Sequence, residues 1–158
     1  MTEGSWSVEF YADYSGRQPC RVWAEKLSPV KKAAFLAAVG TVLTRQGSNV
    51  AGTEFGKNLG AGLYELRIRQ TADEIRQRVG DLPIGREGTQ RNDPPEVVLL
   101  RVFFCTSGRK VIVLLSGYDK GANPSGKRQQ KAIADARKLL TAHREARKRG
   151  RNQSAKSP

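Results

Sequence analysis

Apolar and polar residues alternate with two different periods along this chain, and the changes of period mark its elements. In Ser5-Trp6-Ser7-Val8-Glu9-Phe10-Tyr11 the period is two, which puts Trp6, Val8 and Phe10 on one face of a strand. Gly16 and Pro19 interrupt it. A short helix is expected over residues 19–27, with Val22 and Trp23 inward. Ser28-Pro29 then supplies an N-cap with proline at the first helical position. The helix that follows is expected to reach Gln46, with Val30, Ala34, Ala37 and Thr41 on one stripe and Phe35, Val39 and Val42 beside it. Gly47 is its stop. Residues 48–62, rich in Gly and Asn, read as loop.

Period two returns in Leu63-Tyr64-Glu65-Leu66-Arg67-Ile68-Arg69. Tyr64, Leu66 and Ile68 share one face, and Glu65, Arg67 and Arg69 share the other, as in a half-buried strand with a charged outer face. Thr71-Ala72-Asp73-Glu74 has the form of a capping box, before a short helix to Val79 closed by Gly80. Residues 81–95 are polar and rich in Gly and Pro, and so long a connection between strands is usually functional or disordered. An apolar strand over residues 96–105, a turn at Thr106-Ser107-Gly108 and a second apolar strand over residues 110–115 then form a hairpin. Gly117-Tyr118-Asp119-Lys120-Gly121 is expected to leave the sheet. Asn123-Pro124 or Ser125 opens a last helix that reaches Arg149, with Ile133, Ala136, Leu140 and His143 on one side and basic residues elsewhere.

This order describes one α+β domain over residues 1–149, with an inserted loop at residues 70–95 and a disordered basic tail at residues 150–158. The sheet is antiparallel or mixed, with helices on one face and the other face free. One residue breaks the apolar pattern where the cost is greatest. Val97-Val98-Leu99-Leu100-Arg101-Val102-Phe103-Phe104 is otherwise as apolar as a buried central strand. A guanidinium that cannot lose its charge is expensive to desolvate, so Arg101 should face solvent, a partner or an anion. Arg67, among the apolar residues of the preceding strand, could join it in one cationic patch on the free face.

Composition adds a partner class. The chain carries a net charge of +13, and residues 127–158 hold 11 Lys/Arg against 2 acids, a net +9. The remainder holds 17 against 13, a net +4. That imbalance favours nucleic acid or another acidic partner. No apolar stretch approaches a membrane span, and residues 1–5 lack a signal-peptide pattern, so the expected location is cytoplasmic. Cys20 and Cys105 have no CxxC partner, and the single histidine, His143, stands far from both. Neither a disulfide framework nor a metal or cofactor site is expected.

The element order, together with Leu63-Tyr64-Glu65-Leu66-Arg67, Arg101-Val102-Phe103-Phe104 and Leu114-Leu115-Ser116-Gly117-Tyr118-Asp119-Lys120, resembles the RelE/ParE toxin superfamily. Within it the chain is most similar to the HigB-like, phage-derived Gp49-like branch, over residues 5–145. The resemblance implies a RelE-like fold with two N-terminal helices on one sheet face and a basic C-terminal helix. It also implies a type II toxin: a ribosome-dependent mRNA endonuclease that acts in the ribosomal A site and is held inactive by a helix-turn-helix antitoxin. By position, Arg67 and Arg101 match the two sheet arginines of the family, and Lys120 matches the lysine after the last strand. The chain departs from the pattern in the length of residues 70–95, in Tyr118 where Phe is common, and in having no histidine near this end of the sheet.

RNA cleavage of this kind deprotonates a 2′-hydroxyl, stabilises charge on non-bridging phosphate oxygens and supplies a proton to the leaving 5′-oxygen. The planar fork of arginine suits the second task, which falls to Arg67 and Arg101. Lys120 could neutralise phosphate or exchange a proton, and Tyr118 could stack on a base or donate one. Asp119 and Glu65 could orient these groups or act as base. Arg69, Lys127, Arg128, Lys131, Arg137 and Lys138 are the expected RNA-binding residues. Each has a plainer role available: Arg67 pairing with Glu65 or Glu96, Tyr118 and His143 packing, Asp119 shaping a turn. Two other functions stay open, a ParE-like gyrase poison and a degenerate phage-derived protein that only binds RNA.

Overall fold

The computed structural model describes residues 5–71, 74 and 97–156, with side chains as far as residue 150. The elements are β1 (Ser7–Phe10), α1 (Pro19–Glu25), α2 (Pro29–Ala38), β2 (Gly56–Gly60), β3 (Leu63–Thr71), β4 (Val97–Ser107), β5 (Val111–Asp119) and α3 (Gly126–Lys156). The strands form one five-stranded mixed sheet in the order β1-β5-β4-β3-β2. Only β1 pairs in parallel, with β5; the other neighbours are antiparallel. The fold is α+β, as the pattern predicts. Among the described residues no helix is long and apolar enough to cross a membrane.

Both sheet faces are covered. On the first, Leu66 and Ile68 of β3, Val98, Leu100, Val102 and Phe104 of β4, and Ile112 and Leu114 of β5 pack against α1 and α2 through Cys20, Ala24, Ala34 and Phe35. On the second, Leu63, Phe103, Cys105, Val113 and Leu115 pack under α3 through Ala136 and Leu140. This arrangement corrects the expectation of a free second face. It also explains why β4 is apolar at nearly every position, since a central strand covered on both sides has no solvated row.

The helix after Pro29 keeps its expected span by changing pitch. The buried positions Val30, Ala34 and Ala38 are four apart, but the next, Leu43, is five further on. The chain meets that interval with a wide π turn over Val39–Leu43, closed by the Thr44 N–H donating to the Val39 carbonyl, before a last turn at Thr44–Gln46. Thr41, expected on the buried stripe, is therefore exposed and returns its hydroxyl to the Ala37 carbonyl at 2.6 Å.

Gly47 ends the helix as expected, at φ 53° and ψ −133°, close to a conformation only glycine adopts with ease. Trp6 lies across it, and a Cβ there would fall 2.0 Å from Trp6 Cε2. Gly47→Ala should therefore lower stability by more than about 2 kcal/mol, combining backbone strain with overpacking. Urea unfolding monitored by tryptophan fluorescence measures it.

Residues 48–62 are not simply loop. A 3-10 stretch (Gly47–Gly52) leads into β2, a short edge strand whose glycines and lysine mask it in sequence. Ala61 and Gly62, both at positive φ, make the two-residue turn into β3. The Glu74 N–H donates to Thr71 Oγ1 at 3.2 Å, one half of the expected capping box. The helix expected after it and the connection through residue 96 lie outside the described residues.

Sequence placed the end of the second apolar strand at Leu115, but β5 continues to Asp119. A bulge makes this possible: Phe104 pairs with Leu114, while Phe103 pairs with Ser116, so Leu115 is the extra residue. Every side chain beyond the bulge is switched to the face it would not otherwise take. Gly117 consequently faces α1 and leaves room for Trp23, whose Cε3 would lie 2.0 Å from a Cβ at that position. The last helix, expected to end near Arg149, runs as backbone to Lys156.

Candidate functional site

Strand register brings three of the predicted residues into one row. Arg67 of β3 is directly opposite Arg101 of β4, and Arg101 is directly opposite Tyr118 of β5. All three belong to the face covered by α3, and Tyr118 owes its place there to the bulge at Leu115. Two guanidiniums opposite each other on neighbouring strands repel, so the row needs a counter-charge. Glu65 supplies it, one step along β3 on the same face. Its Oε1 accepts from Arg67 Nε at 2.9 Å and lies 3.8 Å from Arg101 Nε.

Burial deepens across this group. Glu65 is 1 % exposed and Arg101 9 %, whereas the Arg67 side chain is 38 % exposed. Arg101 therefore does not emerge onto solvent as its sequence context suggested. Its Nη1 donates to the Leu100 carbonyl at 3.2 Å, and among the described residues its Nε has no hydrogen-bond partner; neither does Glu65 Oε2. Burial pulls the Arg101 pKa down, and Arg67 pushes the same way against Glu65 and Tyr118. Starting so high, the group stays cationic. The result is a net positive, largely desolvated cluster with Arg67 as its outer member. Such a cluster is suited to hold an oxyanion and to stabilise charge that develops on it.

Tyr118 is buried and donates its hydroxyl to the Asn123 carbonyl, which ties the end of β5 to the entry of α3. Asp119 is not part of the row. It points to the opposite face, where Lys31 Nζ of α2 donates to its Oδ2 at 2.8 Å, and its Oδ1 accepts from the Ala122 N–H at 3.1 Å. Its role is to fasten α2 and shape the turn. Lys120, the first residue past β5, is half-buried and makes no ion pair among the described residues.

The expected RNA-binding residues divide in the same way. Arg69 is exposed, two positions beyond Arg67 on its face, and Lys127, Arg128, Lys131 and Lys138 are exposed on α3. Lys127, Lys131 and Lys138 share one outward stripe by helical spacing. Arg137 is turned inward instead. Its Nη2 and Nη1 donate to the Leu59 and Gly60 carbonyls at 2.7 and 3.2 Å, clamping α3 to the β2–β3 turn.

His143 lies away from the row. It stands over Tyr11 edge to face, with ring centroids 6.0 Å apart, and lines a cleft with Cys105 and Thr106. Cys105 is four residues along β4 from Arg101, about 13 Å at strand rise. Burial lowers the His143 pKa from 6.5, Arg147 and Arg144 lower it further, and Glu9 opposes them. The folded protein thus binds this proton less well than the unfolded chain. The stability that follows is complete above pH 6.5 and is lost as the pH falls below it. The melting temperature should drop between pH 7 and pH 5, and His143→Gln should lessen that drop.

Among the described residues no group of three or more His, Cys, Asp or Glu is arranged to hold a metal ion. Comparison of the chain with protein-family models, curated proteins and solved structures returns no match. Sequence reading named Arg67, Arg101 and Tyr118 but gave Glu65 only a supporting part. The signal was present, because Glu65 and Arg67 are two apart on a strand and must share a face.

Proposed function

We propose that this chain is a ribosome-dependent mRNA endonuclease, the toxin of a type II toxin–antitoxin pair. The observation that supports the reading best is the Arg67–Arg101–Tyr118 row with Glu65 beneath it. In this mechanism the 2′-hydroxyl gives up its proton to solvent water, its oxygen attacks the adjacent phosphorus, the bond to the 5′-oxygen breaks as that oxygen takes up a proton, and a cyclic phosphate and a 5′-hydroxyl result. The Arg67 fork, its Nε already held by Glu65, presents its outer N–H groups to the non-bridging oxygens. Arg101 adds field from below. Glu65 fixes the Arg67 guanidinium before substrate arrives and is the counter-charge to Arg101. Tyr118 gives its hydroxyl proton to the Asn123 carbonyl and so frames the row, which leaves Lys120 as the candidate proton donor to the leaving oxygen. The exposed lysines of α3 would hold ribosomal RNA, and the ribosome would position the mRNA, a contribution large enough to lighten the demand on proton transfer. A helix-turn-helix antitoxin is the expected inhibitory partner.

The burial of Arg101 favours a second reading, an RNA-binding protein without catalysis. Inducing the wild type and the Arg67→Ala/Arg101→Ala double variant, then mapping mRNA 5′ ends, separates the two. Codon-linked cuts that vanish in the variant support the nuclease. RNA binding without cuts supports the second reading, and growth arrest with broken DNA and intact mRNA supports a gyrase poison.

A further inference from the structure

The cleft at the far end of the α3-covered face has no part in the mechanism above, yet its lining is chemically one-sided. Gly62, Cys105 and Thr106 form one wall, and His143, Arg144, Arg147 and Lys148 of α3 the other, around a volume of about 310 Å³ with no carboxylate among the described lining residues. Arg144 is fixed in place: its Nη2 donates to the Ala61 carbonyl at 2.8 Å and rests where a Cβ of residue 62 would stand, 2.2 Å away. Gly62, at φ 87°, is what allows both the turn and this close approach. Arg147 is half-buried toward the sheet, and neither Arg147 nor Lys148 has an ion-pair partner among the described residues.

Three cations brought to one concave site at helical spacing, with one pinned by backbone, form a site for an anion of tetrahedral shape. We propose that this cleft binds a phosphate group through Arg144, Arg147 and Lys148. The phosphate could be the monoester of a nucleotide or an internal diester of a polynucleotide, since both present the same oxygens to these residues. The proposal does not depend on the chain being a nuclease.

His143 reports on the site. The groups facing it are Arg144 and Arg147 on its own helix, Glu9 and Tyr11 at β1, and Cys105 on β4, whose thiol burial pushes up to about 11. Among the described residues only Glu9 opposes the cations, and it is exposed. An anion in the cleft would offset Arg144 and Arg147 and favour the imidazolium, so phosphate should bind more tightly as the pH falls.

His143 is the one histidine of the chain, so its ring carbon–proton resonance can be followed by NMR without assignment. The full chain is titrated with pH at constant ionic strength in chloride, inorganic phosphate, a nucleoside 5′-monophosphate, or a short oligonucleotide without terminal phosphates. Phosphate or the monophosphate should raise the His143 pKa by about one unit over chloride. A rise with the oligonucleotide alone identifies the diester as the ligand. In either case the rise should be largely lost in Arg144→Gln/Arg147→Gln. Lys148→Gln, at an exposed position, should weaken it while keeping the fold intact. A pKa no higher in any of the three than in chloride would overturn the proposal, as would a rise that survives unchanged in both variants.

Discussion

Glu65→Gln should lower the unfolding free energy by about 3–5 kcal/mol, more than any other single conservative change in the sheet. The carboxylate is 1 % exposed and is the counter-charge to two guanidiniums, one of them 9 % exposed. Glutamine keeps the shape and an acceptor for Arg67 Nε but removes the charge. Arg101 cannot respond by losing its proton, as a buried lysine would. It is left as an uncompensated cation opposite Arg67, with its Nε still unpartnered. Removing both charges is a different matter. Glu65→Leu/Arg101→Leu replaces the buried pair with apolar side chains in a strand already packed on both faces, and most of the loss should return. Urea unfolding of Glu65→Leu, Arg101→Leu and the double variant gives the coupling directly. If Glu65→Gln costs less than about 1 kcal/mol, the carboxylate is not what makes the arginine row tolerable.

Most of the fold could be read from period alone. The proline-started helix, its glycine stop, the two apolar strands and the basic last helix all follow from local rules that the tertiary structure does not override. Three features depended on something else. β2 has little apolar content of its own and is a strand because β3 offers it an edge. The π turn at Val39–Leu43 answers a five-residue interval between core positions, visible only once Leu43 is known to be buried. The bulge at Leu115 matters most for function. Unbroken alternation from Ile112 would put Tyr118 with the first core and Asp119 beside the arginines. The extra residue reverses both, and Ser116-Gly117, where the apolar run stops, was the one local hint.

The same reversal accounts for what was legible in the site. Arg101 stands out because it violates the pattern of its strand and Arg67 because it lies on the charged face of the strand before it; register makes them neighbours. Asp119 looked equivalent to Tyr118 in sequence, yet it serves α2 through Lys31. Arg101 looked like a residue seeking solvent. It found a buried carboxylate instead, because α3 closes the face that the pattern left open. His143, remote in sequence from Arg67, Arg101 and Tyr118, proves remote in space as well, so the row contains no imidazole.

The second large effect concerns catalysis. On the proposed nuclease reading, loss of either sheet arginine should reduce mRNA cleavage about 100- to 1,000-fold, as expected for a donor aimed at charge that develops on phosphate. Arg67→Lys should recover little, because a point charge cannot reproduce a fork whose Nε is already held by Glu65. Arg101→Ala carries a risk to the fold, since it strands Glu65 beside a single partner, so the partly exposed Arg67 gives the cleaner variant. Asp119→Asn is the control: it should cost stability at the Lys31 contact and leave the cleavage rate within a few-fold.

On the proposed function the Arg67–Arg101–Tyr118 row handles a scissile phosphate on the ribosome. The most direct test is single-turnover cleavage of an mRNA in the A site of purified, programmed ribosomes, comparing the wild type with Arg67→Gln at matched folded concentration. One cut within the A-site codon is expected, producing a cyclic phosphate and a 5′-hydroxyl and slowed at least about 100-fold by the substitution. Intact mRNA with the folded wild-type protein bound to the ribosome, or cleavage that Arg67→Gln leaves unchanged, would contradict it.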